Sequence, residues 1–317
     1  MQAPHTPSPE IDAKTTILQA SAADLWAALR VRRTWVWPAA VLLVGAGITV
    51  WTTNTLNRQI DEGARGEFTR LAQRVEIEIQ RHMSLPDHGL KGLRGTYATT
   101  RNQVDSEQFK ASVASRDLPK EFPAVKGFGF IECVRRADVS RYEAAAQAEG
   151  PPDFQVKTES NTADLFVVRH IEPMQDNLTA TGSDLTDSAD TRTAIEDAVI
   201  GGYSTATPLI SVQSGPSRDP GLLVFLPVYK TGASFDNEED RWGALRGVLY
   251  APILATELFQ GVLNAAQGNV SVEIFDGPVN QPDKRLYASE QLRDTSRGTA
   301  QVGAFETAAS LTMGQRA

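Results

Sequence analysis

The run Gly182-Ser183-Asp184-Leu185-Thr186-Asp187-Ser188-Ala189-Asp190-Thr191-Arg192 places three acids at intervals of three. Carboxylates spaced this way could chelate a hard cation, or accept paired N–H bonds from a ligand. Asp187 and Asp190 have a plainer use. They stand where a helix begins, and its dipole favours negative charge there. Asp184 lies earlier, ahead of the helix, where it either closes an Asx-turn or offers its carboxylate to a ligand.

Other chemistry is sparse. The histidines are His5, His82, His88 and His170, and no H-E-x-x-H, C-x-x-C or EF-hand spacing occurs. No bound metal is therefore expected. Gly127-Phe128-Gly129 lacks the third glycine of a dinucleotide loop, and no phosphate-binding G-x-x-x-x-G-K-[ST] is present. Gly202-Tyr203-Ser204-Thr205-Ala206 departs from a nucleophile elbow at its last position. Catalytic residues and cofactors are not expected, and the chain does not read as an enzyme. The net charge of −8 leaves no electrostatic footprint for nucleic acid. The lone cysteine, Cys133, allows no internal disulfide and sits in an apolar run, where a small buried hydrophobe is expected.

The acidic run needs elements on both sides to hold it. Ser188 or Asp187 caps a helix that reaches Ile200 and stops at Gly201-Gly202. Strand-like runs occupy 127–134, 165–171, 208–213, 221–229 and 246–253, with two more at 270–275 and 285–288. Helical patterns cover 105–115, 138–148 and 256–266, and Leu118 to Phe122 reads as a Pro-flanked loop. Helices and antiparallel-looking strands alternate without a βαβ rhythm, which indicates an α+β fold with two small sheets in tandem.

The N-terminal part differs. Residues 1–33 form a polar tail with a short helix near Ala22–Leu29. Thr34 to Thr53 is uncharged and spans roughly 30 Å as a helix, the thickness of a bilayer's hydrocarbon core. Trp35, Trp37 and Trp51 mark its ends, Pro38 is assigned to its first turn, and Arg30, Arg32 and Arg33 favour a cytoplasmic N-terminus. The late positive region and the lack of a small-x-small site argue against a cleaved signal peptide. Over 54–84, Leu56, Ile60, Ala64, Phe68, Leu71, Val75 and Ile79 draw one narrow apolar stripe on a helix that Pro86 and Gly89 are expected to end. The stripe suits a parallel homodimeric stalk, or packing against its own domain.

Several runs together resemble a known family. They are Leu90-x-Gly92-Leu93-x-Gly95-x-Tyr97, Phe109, Phe122-Pro123-Ala124-Val125-Lys126-Gly127-Phe128-Gly129-Phe130-Ile131, Arg169-His170-Ile171-Glu172-Pro173 with Asn177, Gly182 and Asp184, Phe225-Leu226-Pro227-Val228-Tyr229, and Gly247-Val248-Leu249-Tyr250-Ala251-Pro252. In this order they resemble a CHASE domain, the extracytoplasmic sensor of histidine kinases and of nucleotide or dinucleotide cyclases. The resemblance implies a stalk helix and two PAS-like lobes, with ligand held in the membrane-distal one. It matches Asp184 to the aspartate that binds the adenine ring in plant cytokinin receptors, and it also matches Arg192. Ala206 falls near a backbone contact to that ring, Gln213 near a polar group facing the ligand tail, and Leu226 near an aromatic pocket wall; Thr205, beside Ala206, is expected to flank the ligand. A larger aliphatic stands at the position of Ala206 in the plant receptors, and the loop here is one residue shorter.

The expected layout is a cytoplasmic tail (1–33), a transmembrane helix (34–53), a stalk (54–84), a CHASE sensor in a distal lobe (85–255) and a proximal lobe (256–317). The resemblance also implies a second crossing and an output domain, neither of which is found up to Ala317, so the chain is expected to be a portion of a receptor of the histidine kinase or diguanylate cyclase type. The expected partners are an adenine-like or amine ligand, the inner membrane and a second copy of the chain. The rival reading is an anchored, exported structural or interaction domain with no small ligand.

Overall fold

The computed structural model describes residues 21–100, 104–214, 217–233, 236–265, 271–277, 285–289 and 307–310. The tail before residue 21 lies outside the described residues, as do parts of the expected proximal lobe. The chain forms two units, Met1–Glu67 and Phe68–Ala317.

The described residues of the first unit belong to helix α1 (Ser21–Thr99), whose residues from Trp37 onward begin a stretch long and apolar enough to cross a membrane. Trp37, Leu42, Leu43, Ile48 and Trp51 are all exposed. The hydroxyls of Thr49, Thr52, Thr53 and Thr55 donate back to carbonyls of the preceding turn, so they carry no open donor along this stretch. Pro38 sits inside this helix rather than in its first turn, because the helix already begins at Ser21.

In the second unit α1 continues through Pro86 and Gly89 to Thr99, correcting the expected stop. A proline inside a helix removes one backbone bond. Here the burial of Pro86, Leu90, Leu93 and Tyr97 offsets that loss. Gly89 is a point of close approach, not an end, because a Cβ there would run into the Phe128 ring. The stripe also divides. Val75 and Ile79 are buried in the protein's own core, whereas Leu56 and Ile60, further up the helix, are exposed.

After α1 come α2 (Ser106–Ala114), α3 (Leu118–Glu121), β1 (Phe128–Arg135), α4 (Val139–Glu149), β2 (Asp164–Glu172) and α5 (Ala189–Gly201). Then follow β3 (Thr205–Ala206), β4 (Ile210–Ser214), β5 (Ser217–Tyr229), α6 (Glu238–Ala244), β6 (Leu245–Leu254), α7 (Ala255–Ala265), β7 (Glu273–Phe275) and β8 (Arg285–Ala288). Residues 118–121, expected as loop, form the short α3. All pairings in the main sheet are antiparallel, in the order β2-β1-β6-β5-β3, with β4 also on β5.

Strand alternation gives this sheet two buried faces. Phe128, Phe130, Val224, Leu226, Leu249 and Ala251 point to the layer containing α1, α2 and α7. Ile131, Val168, Phe225, Val248 and Tyr250 point to α5, which answers with Ala194, Ile195, Ala198 and Val199. The second sheet has two described strands, β7 and β8. It joins the first core, where Phe259 of α7 meets the Tyr287 ring at 5.7 Å. The fold is α+β as expected.

Candidate ligand-binding face

Asp184 lies just before a 3₁₀ turn, Leu185–Asp187, and is 4 % exposed. Its Oδ1 accepts from the Phe166 N–H at 3.0 Å, the Thr186 N–H at 3.0 Å and the Thr186 hydroxyl at 2.7 Å. Its Oδ2 accepts from the Thr158 hydroxyl at 2.8 Å. The carboxylate therefore closes an Asx-turn and ties that turn to β2. A carboxylate offers about four lone-pair sites over two oxygens, so the remaining capacity is at Oδ2.

Of the other acids in the run, Asp187 shares the Thr158 hydroxyl with Asp184, at 3.3 Å, and has bonds of its own. Asp187 accepts from the backbone N–H groups of Glu159 and Ser160, at 3.1 and 2.7 Å, and so pins the strand-preceding loop. Asp187 thus has a second use besides its place directly ahead of the α5 cap. The helix cap is Ser188, whose hydroxyl accepts from the Thr191 N–H. Asp190 does lie in the first turn of α5. Arg192 reaches Glu196 and the carbonyl of Asp164, both at 3.4 Å. Among the described residues no cluster of His, Cys, Asp or Glu could hold a metal ion.

The sheet distributes the remaining predicted site residues over different faces. Thr205 pairs with Phe225, Phe225 with Tyr250, and Tyr250 with Gly129. This row runs across four strands on the α5 side. Ala206 pairs with Val224, and both belong to the opposite, α1-side core together with Leu226. Leu226 and Ala206 therefore do not share a side-chain environment with Thr205. The cause is the period of two along β3 and β5, which sends adjacent residues to opposite faces. Gln213 lies on β4, where its Oε1 accepts from Arg218 Nε at 3.2 Å.

Two polar groups on the α5 side stand out. The Thr205 and Tyr250 hydroxyls are buried, with no hydrogen-bond partner among the described residues. Complete burial pushes the Tyr250 phenol far above its usual range, so it remains a neutral donor. Its ring lies over Gly129, where a Cβ would collide with it. Tyr250 was not among the residues expected at the ligand site. The signal was the F-G-F of β1, since a glycine inside a strand marks a close approach by another group. The two hydroxyls stand on β3 and β6 with β5 between them, and the Tyr250 ring leans the other way, over β1.

A sequence model of the CHASE domain matches residues 102–287, more than half of the chain. The chain belongs to the CHASE family. No curated protein matches it. CHASE domains are extracellular sensor domains of signalling receptors, and in this member the matched segment begins just after α1 and ends within β8. The match confirms the family expected from the sequence.

Proposed function

We propose that this chain is the ligand-sensing portion of a transmembrane receptor, of the histidine kinase or diguanylate cyclase type. The ligand is a small nitrogen-containing molecule taken up on the α5 side of the sheet in a PAS-like lobe, and the pair of buried, unpartnered hydroxyls of Thr205 and Tyr250 carries this reading. An unsatisfied buried hydroxyl costs about 1–3 kcal/mol, and a ligand that pairs with it recovers part of that. Asp184 contributes through Oδ2, which takes a ligand N–H beside the Thr158 hydroxyl, while Oδ1 keeps the loop in shape. Gln213 faces the ligand tail from β4, and Ala206 contributes through its backbone. Residues after the span lie outside the cytoplasm and the helix spans the inner membrane, in keeping with Arg30, Arg32 and Arg33 ahead of it. Copies pair through the exposed stretch of α1 that carries Leu56 and Ile60.

The test is a screen of the full chain in lipid nanodiscs against adenine derivatives, amines and amino acids, read as a rise in the urea unfolding midpoint. At least one class is expected to stabilise the chain in a concentration-dependent manner. No stabilisation by any class would favour the rival reading, an exported structural domain. A periplasm-dependent phosphatase fused after residue 84 should be active, and inactivity there would overturn the topology.

A further inference from the structure

Tyr97 closes the last turn of α1 and is 1 % exposed. Its ring stacks on Phe130 at 4.6 Å and 25°. The Arg246 guanidinium lies 5.7 Å from the same Phe130 ring and is paired with the Glu132 carboxylate at 2.6 Å. Phe130 is also wedged over β6, since a Cβ at Gly247 would strike its ring.

The residue before Phe130 is Gly129, the seat of the Tyr250 ring on the other face. Two consecutive residues of β1 thus carry an aromatic on each side of the sheet: Tyr250 towards α5, and Tyr97 towards the helix. Their shared peptide unit is planar and stiff, so a displacement of Gly129 moves Phe130 with it. Both phenol hydroxyls are buried without a partner among the described residues. Among the described residues, packing alone therefore fixes the two rings.

We propose that Tyr97 is the residue through which the sheet moves α1, linked to Tyr250 through Gly129-Phe130. A group that displaces Tyr250 on the α5 face repositions the last turn of the helix that leads to the membrane span. The use of this link in signalling rests on the proposed ligand face, but its existence does not. Close packing makes such contacts shift in discrete steps rather than absorb the motion. A purely structural Tyr97 would stabilise the core and transmit nothing.

The test needs no ligand. Amide hydrogen exchange is followed at residues 94–99 in the full chain in nanodiscs. Gly129→Ala pushes a methyl into the Tyr250 ring and also against the His170 carbonyl of β2, so Tyr250→Leu, which leaves β2 alone, serves as a second route. Val212→Ala is the control, a loss of apolar contact on the same face away from Tyr250. Gly129→Ala or Tyr250→Leu is expected to speed exchange at 94–99 about tenfold, and Val212→Ala less than about threefold, the gap expected of a coupling near 1.4 kcal/mol. In a Tyr97→Leu background the effect of Gly129→Ala at these amides should disappear. Equal effects of Gly129→Ala and Val212→Ala, or additive effects of Gly129→Ala and Tyr97→Leu, would overturn the link. Ligand binding without this coupling would leave the proposed function standing and remove the link, whereas coupling in a chain that binds nothing in the screen would do the reverse.

Discussion

Acid should weaken this fold through His170. The imidazole is half-buried on β2 and stacks on the Phe109 ring of α2 at 5.6 Å. Burial pushes its pKa down to about 4, helped by the cations of Arg169 and Arg246 and opposed by Glu149 and Asp105. In the unfolded chain the group returns to about 6.5. Between those values the unfolded chain holds a proton that the folded chain does not. The stability is therefore complete above the unfolded value and falls as the pH drops towards the folded one. The interval of about 2.5 pH units, at 1.36 kcal/mol each, bounds the loss at roughly 3.4 kcal/mol. About 1.8 kcal/mol of it falls between pH 7 and pH 5. With an m-value of about 2–3 kcal/mol/M, the urea midpoint should drop by roughly 0.6–0.9 M over that range. His170→Phe keeps the stacked ring and removes the titration, and His170→Gln removes it without added bulk. Both should flatten the pH dependence by about that amount. Midpoints that fall in parallel for parent and variants would refute the argument.

Other outcomes follow from the packing. Gly89→Ala should cost about 1–3 kcal/mol by driving a methyl into Phe128, read as a lower urea midpoint, and Gly63→Ala, which meets nothing, should not. Asp184→Ala should destabilise by about 2–4 kcal/mol, because four donors lose their acceptor, whereas Asp184→Asn should cost less by keeping an acceptor oxygen in the loop. Leu56→Glu with Ile60→Glu should shift the chain from dimer to monomer in detergent sedimentation without changing its unfolding midpoint, since neither residue packs into the core.

Much of the fold could be read from the sequence because local rules and burial agree. Ser188 and Gly202 bound α5 as a cap and a left-handed stop should. Strands β1, β2 and β6 fall within two residues of their apolar runs. The failures have physical causes. Pro86 is an ordinary helix breaker by local rules, and only tertiary burial keeps α1 going through it. Cys133 was expected inside, yet it is exposed, because β1 alternates there and Val134 takes the buried side. Thr205 and Leu226 lie near each other in the pairing, but a one-residue offset in face separates them. Asp184 was legible as a special acid. Its four internal donors were not, because they come from Thr158, Phe166 and Thr186, and only folding brings the first two to it.

The central claim is that the α5 side of the sheet receives a small ligand through Thr205 and Tyr250. It is tested most directly by calorimetric titration of the full chain, in nanodiscs, with the stabilising compound from the screen. Parent, Thr205→Val and Tyr250→Phe are compared. Each variant removes one hydroxyl and nothing else of size, and the loss of one neutral hydrogen bond, about 1 kcal/mol, should weaken binding roughly fivefold or more. Their unfolding midpoints should stay the same or rise, since an unsatisfied buried hydroxyl is removed. Unchanged affinity in both folded variants would contradict the account and place the ligand elsewhere.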